Sequence, residues 1–463
     1  MTTHELSWPG LAAEFSHGVL QVSENGHFLQ HADSTPFFWM GDTAWELFHR
    51  LNRGEAEYFL ETRRRQGFNL IQAVALAEFE GLRAPNRYGA LPFEDLNPAK
   101  PNELYWQHVD WVIDCAAKKG LYIGLLPTWG DKVVRETWGD GPIIFDEQNA
   151  RHYGAWLGRR YGQRPNIVWI LGGDRPSIWQ GRDGKAAPVD YRPLWRAMSA
   201  GLDAGMGRHT LTSYHTSGHI SNRTALTLHP EPWLDVNMMQ SGHGSGHDTP
   251  LCEAVQADFA LQPAKPTLDS EPNYEDHPVN PWPTWDPQYG YFRDHDVRKQ
   301  LYRSVFAGGC GVTYGHHAMW QFYDPAQQPV VNFADRPWRE AIVRPGAQQV
   351  IHLRRLMESL PYFTRVPDDS VIAQADLGQL GNRLCATRDS AGHYALVYVP
   401  NTQTVTVRMD VIASARVVVR WYDPRTGATT EIGTFANTGT RFFTPPDHGP
   451  DWVLLMRAGD AGG

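Results

Sequence analysis

Eight short apolar runs, each followed by a polar turn and a longer helical pattern, constrain the fold of this 463-residue chain more than any other feature. Short apolar runs bounded by turn signals are typical of strands buried on both faces. Strands that alternate with helical patterns indicate βαβ units and a parallel sheet. Eight such units predict a (β/α)8 TIM barrel, which is an α/β fold. The runs cover residues 37–45, 69–76, 121–131, 166–174, 209–216, 234–243, 266–276 and 311–317.

The segments between and beyond these runs complete the predicted organisation. Asn25-Gly26 lies between two short alternating runs, which is a strong signal for a β-hairpin. From about residue 366 the pattern changes to β-branched alternation with turns, typical of an antiparallel β-sandwich. We predict an N-terminal hairpin extension (1–36), the barrel (37–365) and a C-terminal β-sandwich domain (366–463). Helices are predicted over residues 54–66, 103–119, 147–162, 189–204, 251–261 and 294–307.

Charge and hydropathy restrict the partners. A net charge of −9 without any block of like charge argues against nucleic acid and against an anionic membrane surface. No stretch of 18 apolar residues occurs, so no membrane-spanning helix is predicted. The first 15 residues lack the basic and apolar regions of a signal peptide, which predicts a cytoplasmic location.

Two residue types add to this picture. The four cysteines are scattered without C-x-x-C spacing, which favours reduced, buried thiols over a disulfide. The chain has 18 tryptophans, whose large amphipathic rings suit a core and also suit flat polar ligands such as sugars.

Function in such a barrel belongs to the carboxyl ends of the strands and the loops that follow them. Those positions carry carboxylates, imidazoles and indoles, a set that suits a polyhydroxylated ligand. A phosphate is disfavoured, because no glycine-rich loop follows the seventh or eighth run. The residues at these ends are Asp42, Trp45, Glu78, Glu80, Trp129, Asp131, Asp174, His215, Gln240, His243, Glu271, His316, His317 and Trp320.

Asp174 and Glu271 are the strongest catalytic candidates. They follow the fourth and seventh runs, whose strands lie across the barrel mouth from one another, so their side chains can converge on one cavity. Two carboxyl groups about 5–5.5 Å apart are what retaining glycoside hydrolysis requires. An apolar pocket beside Trp169 and Trp179 would raise the pKa of the acid by desolvation.

Structural roles compete with these functional interpretations. Asp174 could cap a helix that begins near Pro176, and Asp42 could cap the helix after the first strand. Glu271 could be a surface or ion-paired carboxylate in an acidic loop. Each histidine, taken singly, is better explained as a hydrogen-bonded residue of a pocket or of the core than as a catalyst. Trp45, Trp129 and Trp320 could belong to the core.

Metal and serine chemistry are not favoured, and no cofactor is predicted. His243 and His247 are four residues apart, but in a glycine-rich loop, and no H-E-x-x-H sequence is present. The first run also lacks the H-x-H of metal-dependent hydrolase barrels. A G-x-S-x-G nucleophile elbow is absent from the sequence as well.

Four segments resemble the apiosidase-like glycoside hydrolases, a barrel family with a C-terminal domain often labelled collagen-binding. These segments are "PFFWMGDTAWELFHRL", "NIVWILGGDRP", "SEPNYED" and "WYDPRTG", and the similarity spans nearly the whole chain. The resemblance implies Asp174 as the acid/base, Glu271 as the nucleophile, and Asp42 with the "GHH" segment (315–317) near the sugar. We interpret the C-terminal domain as a support packed on the barrel, because nothing in its sequence indicates collagen binding.

The resulting hypothesis is a retaining, exo-acting glycoside hydrolase that removes a terminal furanose-type, apiose-like sugar. The absence of an export signal favours a small imported glycoside or oligosaccharide over a polymer. One alternative is an α-L-arabinofuranosidase or another exo-glycosidase with the same carboxylates. A non-catalytic carbohydrate-binding barrel is an alternative of another class. The predicted substrate-binding residues are Asp42, Trp45, Trp129, His215, Gln240, His243, His316, His317 and Trp320.

Overall fold

The computed structural model describes residues 15–134, 138–139, 141–181, 185, 187–246, 248–281 and 283–459. Its first thirteen strands include a three-stranded N-terminal sheet, a short hairpin and the eight strands of the barrel. In chain order they are β1 (Leu20–Val22), β2 (Leu29–His31), β3 (Pro36–Phe37), β4 (Trp39–Thr43), β5 (Leu70–Val74), β6 (Tyr122–Leu126), β7 (Ile167–Gly172), β8 (Ile178–Trp179), β9 (Val189–Asp190), β10 (Thr212–His215), β11 (Asn237–Met239), β12 (Thr267–Asp269) and β13 (Gly311–Tyr314).

The predicted barrel is confirmed. Its parallel strands follow the order β10-β7-β6-β5-β4-β13-β12-β11. A parallel bridge between Ser213 and Val236 connects the two outer strands of that order, β10 and β11, and closes the sheet on itself. Each of the eight apolar runs therefore contains one barrel strand, and the strand ends meet at one mouth.

The six predicted helices are present, and each begins and ends within three residues of its prediction. Another long helix, α10, was not predicted individually and lies at the end of the barrel segment. In chain order the helices are α1 (Leu47–Arg50), α2 (Arg53–Arg65), α3 (Glu103–Lys118), α4 (Glu147–Tyr161), α5 (Arg192–Met206), α6 (Leu251–Phe259), α7 (Asp294–Phe306), α8 (His317–Trp320), α9 (Trp338–Ala341) and α10 (Pro345–Glu358).

Successive side chains of strand β7 point alternately into the barrel and toward the surrounding helices. Val168 and Ile170 pack in the cluster that fills the barrel interior, whereas Trp169 and Leu171 pack among the surrounding helices. The Trp169 indole donates to Met206 Sδ at the end of α5. The prediction that Trp169 lies beside the catalytic acid is therefore wrong, because its strand position turns it away from the mouth.

The C-terminal strands form the antiparallel domain that was predicted. Six of them make one sheet, and β17 and β20 pair separately but share its apolar core. The strands are β14 (Arg365–Pro367), β15 (Cys385–Asp389), β16 (Tyr394–Val399), β17 (Val405–Arg408), β18 (Arg416–Tyr422), β19 (Thr429–Ala436), β20 (Thr440–Phe443) and β21 (Trp452–Ala458).

A disulfide joins this domain to the barrel, which corrects the expectation of four reduced cysteines. Cys252 on α6 is bonded to Cys385 on β15, and the two residues are 133 positions apart in sequence. Cys115 and Cys310 are free and buried. Spacing along the chain could not reveal this pair, because only the folded arrangement of the two domains brings its members together.

The N-terminal hairpin is formed by β1 and β2, which pair antiparallel on either side of Asn25-Gly26. Gly26 has a φ of +78°, as a tight turn at this position requires. Residues 1–14 of the predicted extension lie outside the described residues. Within the part of the chain that is described, no helix is both long enough and apolar enough to cross a bilayer.

Candidate active site

A cavity of about 410 Å³ opens at the carboxyl ends of the barrel strands. Its wall combines three carboxyl groups, six indoles and several imidazoles and amides. The lining residues are Trp45, Glu78, Trp129, Trp138, Asp174, Trp179, Ser217, Gly218, His219, Asn222, Gln240, Gly242, His243, Gly244, Glu271, Tyr274, His277, Trp285, His317, Trp320 and Asn332. Aromatic walls with a few convergent polar groups are typical of small-ligand sites.

The turn after β7 places Asp174 in this cavity. Gly172 and Gly173 have φ values of +85° and +105°, and Asp174 follows with a φ of +54°. A Cβ on Gly172 would lie 2.3 Å from the His215 carbonyl oxygen, and one on Gly173 would lie 2.7 Å from the Gly130 nitrogen. The two glycines thus let the neighbouring loops approach, while aspartate is among the residues that tolerate a positive φ. No helix begins here, since the short strand β8 follows, so the helix-cap interpretation of Asp174 is wrong.

His215, at the end of β10, connects the two candidate catalytic residues. Its Nδ1 accepts a hydrogen bond from the Asp174 backbone N–H at 3.2 Å. In a neutral imidazole the proton must then be on Nε2, which lies 2.7 Å from Glu271 Oε2. The ring is fully buried between Trp45 and Trp129, with centroid distances of 5.0 and 5.7 Å.

Glu271 follows β12 and is held as a carboxylate. Its side chain is only 5% exposed, and burial alone would raise its pKa. The His215 hydrogen bond and the imidazoles of His215 and His243, together with Tyr274, outweigh burial and hold the pKa below its ordinary value. His243 Nε2 lies 3.7 Å from Glu271 Oε1. An ionised carboxylate in an aromatic cavity can act as a nucleophile toward an electrophilic carbon.

Three imidazoles packed against one another form one side of the cavity. The ring centroids of His243 and His277 are 4.5 Å apart, and those of His277 and His317 are 4.3 Å apart. Burial lowers the pKa of all three, to about 3 for His317. This wall is therefore neutral at physiological pH and offers hydrogen-bonding nitrogens rather than positive charge.

A third carboxyl group, Glu78, lies in the loop after β5 and is fully buried in the cavity wall. The Trp138 indole N–H donates to Glu78 Oε2. Arg175 donates to the backbone carbonyl oxygens of Asp174 and Trp138, which ties the loop that carries Trp138, after β6, to the Asp174 turn. Burial, and then the nearby carboxylates of Glu46, Asp174 and Glu271, raise the pKa of Glu78 well above its ordinary value.

Comparison with known proteins identifies the family. The model of the family described as "Apiosidase-like, catalytic domain" matches residues 23–364. Residues 366–457 match "Putative collagen-binding domain of a collagenase". The chain belongs to the apiosidase-like glycoside hydrolases. No curated protein matches it.

Solved structures of glycoside hydrolases are similar to this apiosidase-like hydrolase. One described as a glycoside hydrolase is 34% identical with a TM-score of 0.85, and the match covers 97% of this chain and 99% of that chain. A glycoside hydrolase family 5 structure from Bacteroides vulgatus ATCC 8482 is 31% identical with a TM-score of 0.85, covering 96% and 94%. An exo-beta-1,4-mannosidase from Opitutaceae bacterium strain TAV5 shares the fold at 14% identity and a TM-score of 0.50, covering 74% of this chain and 63% of that chain.

Most of the residues predicted for the site of this apiosidase-like hydrolase line the cavity. The two catalytic candidates do so, together with six of the predicted substrate-binding residues. These residues are Asp174, Glu271, Trp45, Trp129, Gln240, His243, His317 and Trp320. Among the described residues, Trp129 Nε1, Gln240 Oε1 and His243 Nδ1 are buried polar atoms without a hydrogen-bond partner, so they are available to a ligand.

Asp42, His215 and His316 were predicted to contact the sugar, and the structure places all three behind the cavity wall. Asp42 is fully buried and accepts a hydrogen bond from Arg63 Nε on α2 at 2.6 Å. His316 caps α8 by accepting from the Ala318 N–H. His215 positions Glu271 instead of facing the ligand. A strand-end position alone could not separate residues that point into the mouth from those that point behind it.

Several cavity residues were missed because they lie on long loops that no pattern positions. Trp138 and Trp285 belong to such loops, whereas Tyr274 and His277 follow Glu271 on the same loop and could have been found from that proximity. Within the described residues, no group of three or more His, Cys, Asp and Glu side chains is placed to hold a metal ion. His247, which was considered as a metal ligand, lies outside the described residues.

Proposed function

We propose that this hydrolase is a retaining, exo-acting enzyme that removes a terminal furanose-type, apiose-like sugar from a small glycoside or oligosaccharide. Glu271 is the nucleophile and Asp174 is the general acid and base. The observation that carries the proposal is the state of Glu271, a buried carboxylate kept ionised by His215 in the same cavity that Asp174 lines.

The reaction proceeds by double displacement. In the first step the Glu271 carboxylate attacks the anomeric carbon, the glycosidic C–O bond breaks, and the Asp174 carboxylic acid donates its proton to the leaving oxygen. In the second step Asp174 removes a proton from water, whose oxygen attacks the same carbon and releases the Glu271 carboxylate. Two inversions give net retention, and Asp174 regains its proton.

Accessibility supports the division of roles. The Asp174 side chain is 23% exposed, so it can exchange its proton with a leaving group or with water. Glu271 is nearly fully buried, which limits the access of bulk water to a covalent intermediate on its carboxylate.

The size of the cavity supports exo action on a small substrate. Ligand pockets commonly measure about 300–1,000 Å³, and this cavity of about 410 Å³ is near the lower end of that range. A terminal sugar with little beyond it fits such a volume better than an internal segment of a polymer. The furanose specificity rests on the name of the matching family. The cytoplasmic location and the imported substrate remain predictions.

Kinetics of two variants on nitrophenyl furanosides and pyranosides test the proposal. Asp174→Asn lowers kcat by about 10²–10⁴-fold on substrates that need acid assistance and less on those with a good leaving group. Azide accelerates this variant on the activated substrate, because azide needs no general base. Glu271→Gln leaves no measurable turnover. Glu80→Gln is the matched control, since Glu80 is half-exposed and outside the cavity. Near-wild-type activity of both catalytic variants contradicts the proposal.

A further inference from the structure

Glu78 is a cavity carboxyl group that double displacement does not use. Its side chain is 1% exposed, and it lines the same cavity as Asp174 and Glu271. The two reacting roles are already taken by those residues. A buried carboxyl group with no part in the chemistry, facing a ligand cavity, needs another explanation.

The surroundings of Glu78 keep it as a neutral carboxylic acid. Among the residues that the structure describes, no Lys, Arg or His forms an ion pair with it, and the carboxyls of Glu46, Asp174 and Glu271 are near enough to raise its pKa further. Burial and these negative neighbours disfavour its ionisation. Trp138 donates to Oε2, so the proton belongs on Oε1, which then acts as a hydrogen-bond donor.

The rest of the cavity wall has the same bias against negative charge. None of the described residues that line it is a lysine or an arginine, and the adjoining imidazoles of His243, His277 and His317 are neutral. An anionic sugar bound here would be buried beside carboxylates without a cationic partner, which is costly. A neutral sugar can instead offer hydroxyl oxygens to the Glu78 donor.

We propose that Glu78 is a specificity-determining residue, whose carboxylic acid donates a hydrogen bond to a hydroxyl of the sugar beside Glu271 and restricts that position to uncharged sugars. This inference rests on the proposed function in taking the cavity as the sugar site. It concerns the sugar unit beside the three carboxyls and not the leaving group.

Binding measured without turnover tests the inference separately from the proposed function. Tryptophan fluorescence of the Asp174→Asn protein reports ligand binding, because six indoles line the cavity. The Asp174→Asn substitution prevents acid-assisted hydrolysis and removes the titration of Asp174 from the pH dependence of binding. The probes are the neutral sugars apiose, L-arabinose, D-xylose, D-glucose and D-galactose, set against D-glucuronate and D-galacturonate. Binding of a neutral sugar that depends on Glu78 supports the inference even if no glycoside is ever hydrolysed.

The expected result has three parts. At least one neutral sugar binds, and neither uronate binds with comparable affinity. Adding Glu78→Ala raises the Kd of that sugar about tenfold, the effect of one lost hydrogen bond, and Glu78→Gln raises it less because the amide still donates. The Kd also rises at alkaline pH as Glu78 ionises, and this dependence is absent with Glu78→Gln.

Glu80→Gln is the matched control for Glu78→Gln, since it makes the same chemical change two residues along the chain, outside the cavity. Thermal unfolding of each variant separates lost binding from lost folding. Equal or tighter binding of a uronate overturns the inference. Failure of every neutral sugar to bind, or a Kd that is insensitive to Glu78→Ala in a folded protein, also overturns it.

Discussion

His215 links the Asp174 turn to the Glu271 carboxylate through the two nitrogens of one ring. It stabilises the ionised form of Glu271, so its removal raises the pKa of that carboxyl, and the ionised fraction at a given acidic pH falls. We expect His215→Phe to move the acidic limb of the kcat/KM profile to higher pH. Activity on that limb should fall roughly tenfold, the effect of one charged hydrogen bond. A pH series on a nitrophenyl glycoside measures this. An acidic limb that stays at the wild-type position in a folded variant contradicts the role assigned to His215.

The turn after β7 requires glycine for two reasons. Gly172 and Gly173 both have a positive φ, and the neighbouring backbone leaves no room for a Cβ at either position. We expect Gly173→Ala to be severely destabilising and to abolish activity, because its Cβ would meet the Gly130 backbone at 2.7 Å in a positive-φ conformation. Gly207→Ala is the matched control: Gly207 also has a positive φ, of +72°, but nothing lies within 4 Å of an added Cβ. The control should lose about 1 kcal/mol of unfolding free energy and keep its activity. Urea unfolding compares the two, and equal losses would show that close packing at Gly173 is unimportant.

The disulfide between Cys252 and Cys385 ties the barrel to the C-terminal domain, where Arg298 also forms a buried ion pair with Asp451. We expect alkylation of the denatured, non-reduced protein to modify two cysteines and alkylation after reduction to modify all four. Closing so long a loop contributes roughly 4–5 kcal/mol in the chain-entropy description, so reduction should lower the unfolding temperature. Intact mass and thermal unfolding with and without reductant measure both effects. Four reactive thiols without reductant contradict the assignment.

Local patterns determine the fold of this chain much more fully than they determine its site. The barrel strands and long helices follow from apolar periodicity, which depends on residues close in sequence. Asp174 and Glu271 followed from their positions at strand ends. Asp42 and His316 occupy strand ends too, yet their side chains turn to Arg63 and to α8. The side of the wall that a residue faces is decided by packing between distant segments.

Packing between distant segments also explains the two contacts that the sequence did not predict. Trp138 reaches Glu78 from a loop 60 residues further along the chain, and Cys252 meets Cys385 across two domains. Contacts of this kind carry no periodic signal. Tyr274 and His277 are the exception, since they follow Glu271 closely enough for the sequence to place them near it.

The stereochemistry of the transferred sugar tests the central claim most directly. With methanol present, the intermediate on Glu271 is captured as a methyl glycoside, which does not mutarotate and preserves the configuration set by the enzyme. Proton NMR of this product from a nitrophenyl furanoside then reads the anomeric configuration. Double displacement by Glu271 and Asp174 predicts the anomer of the substrate. The opposite anomer, formed as the first product, would contradict the covalent intermediate and the roles assigned to both carboxyls.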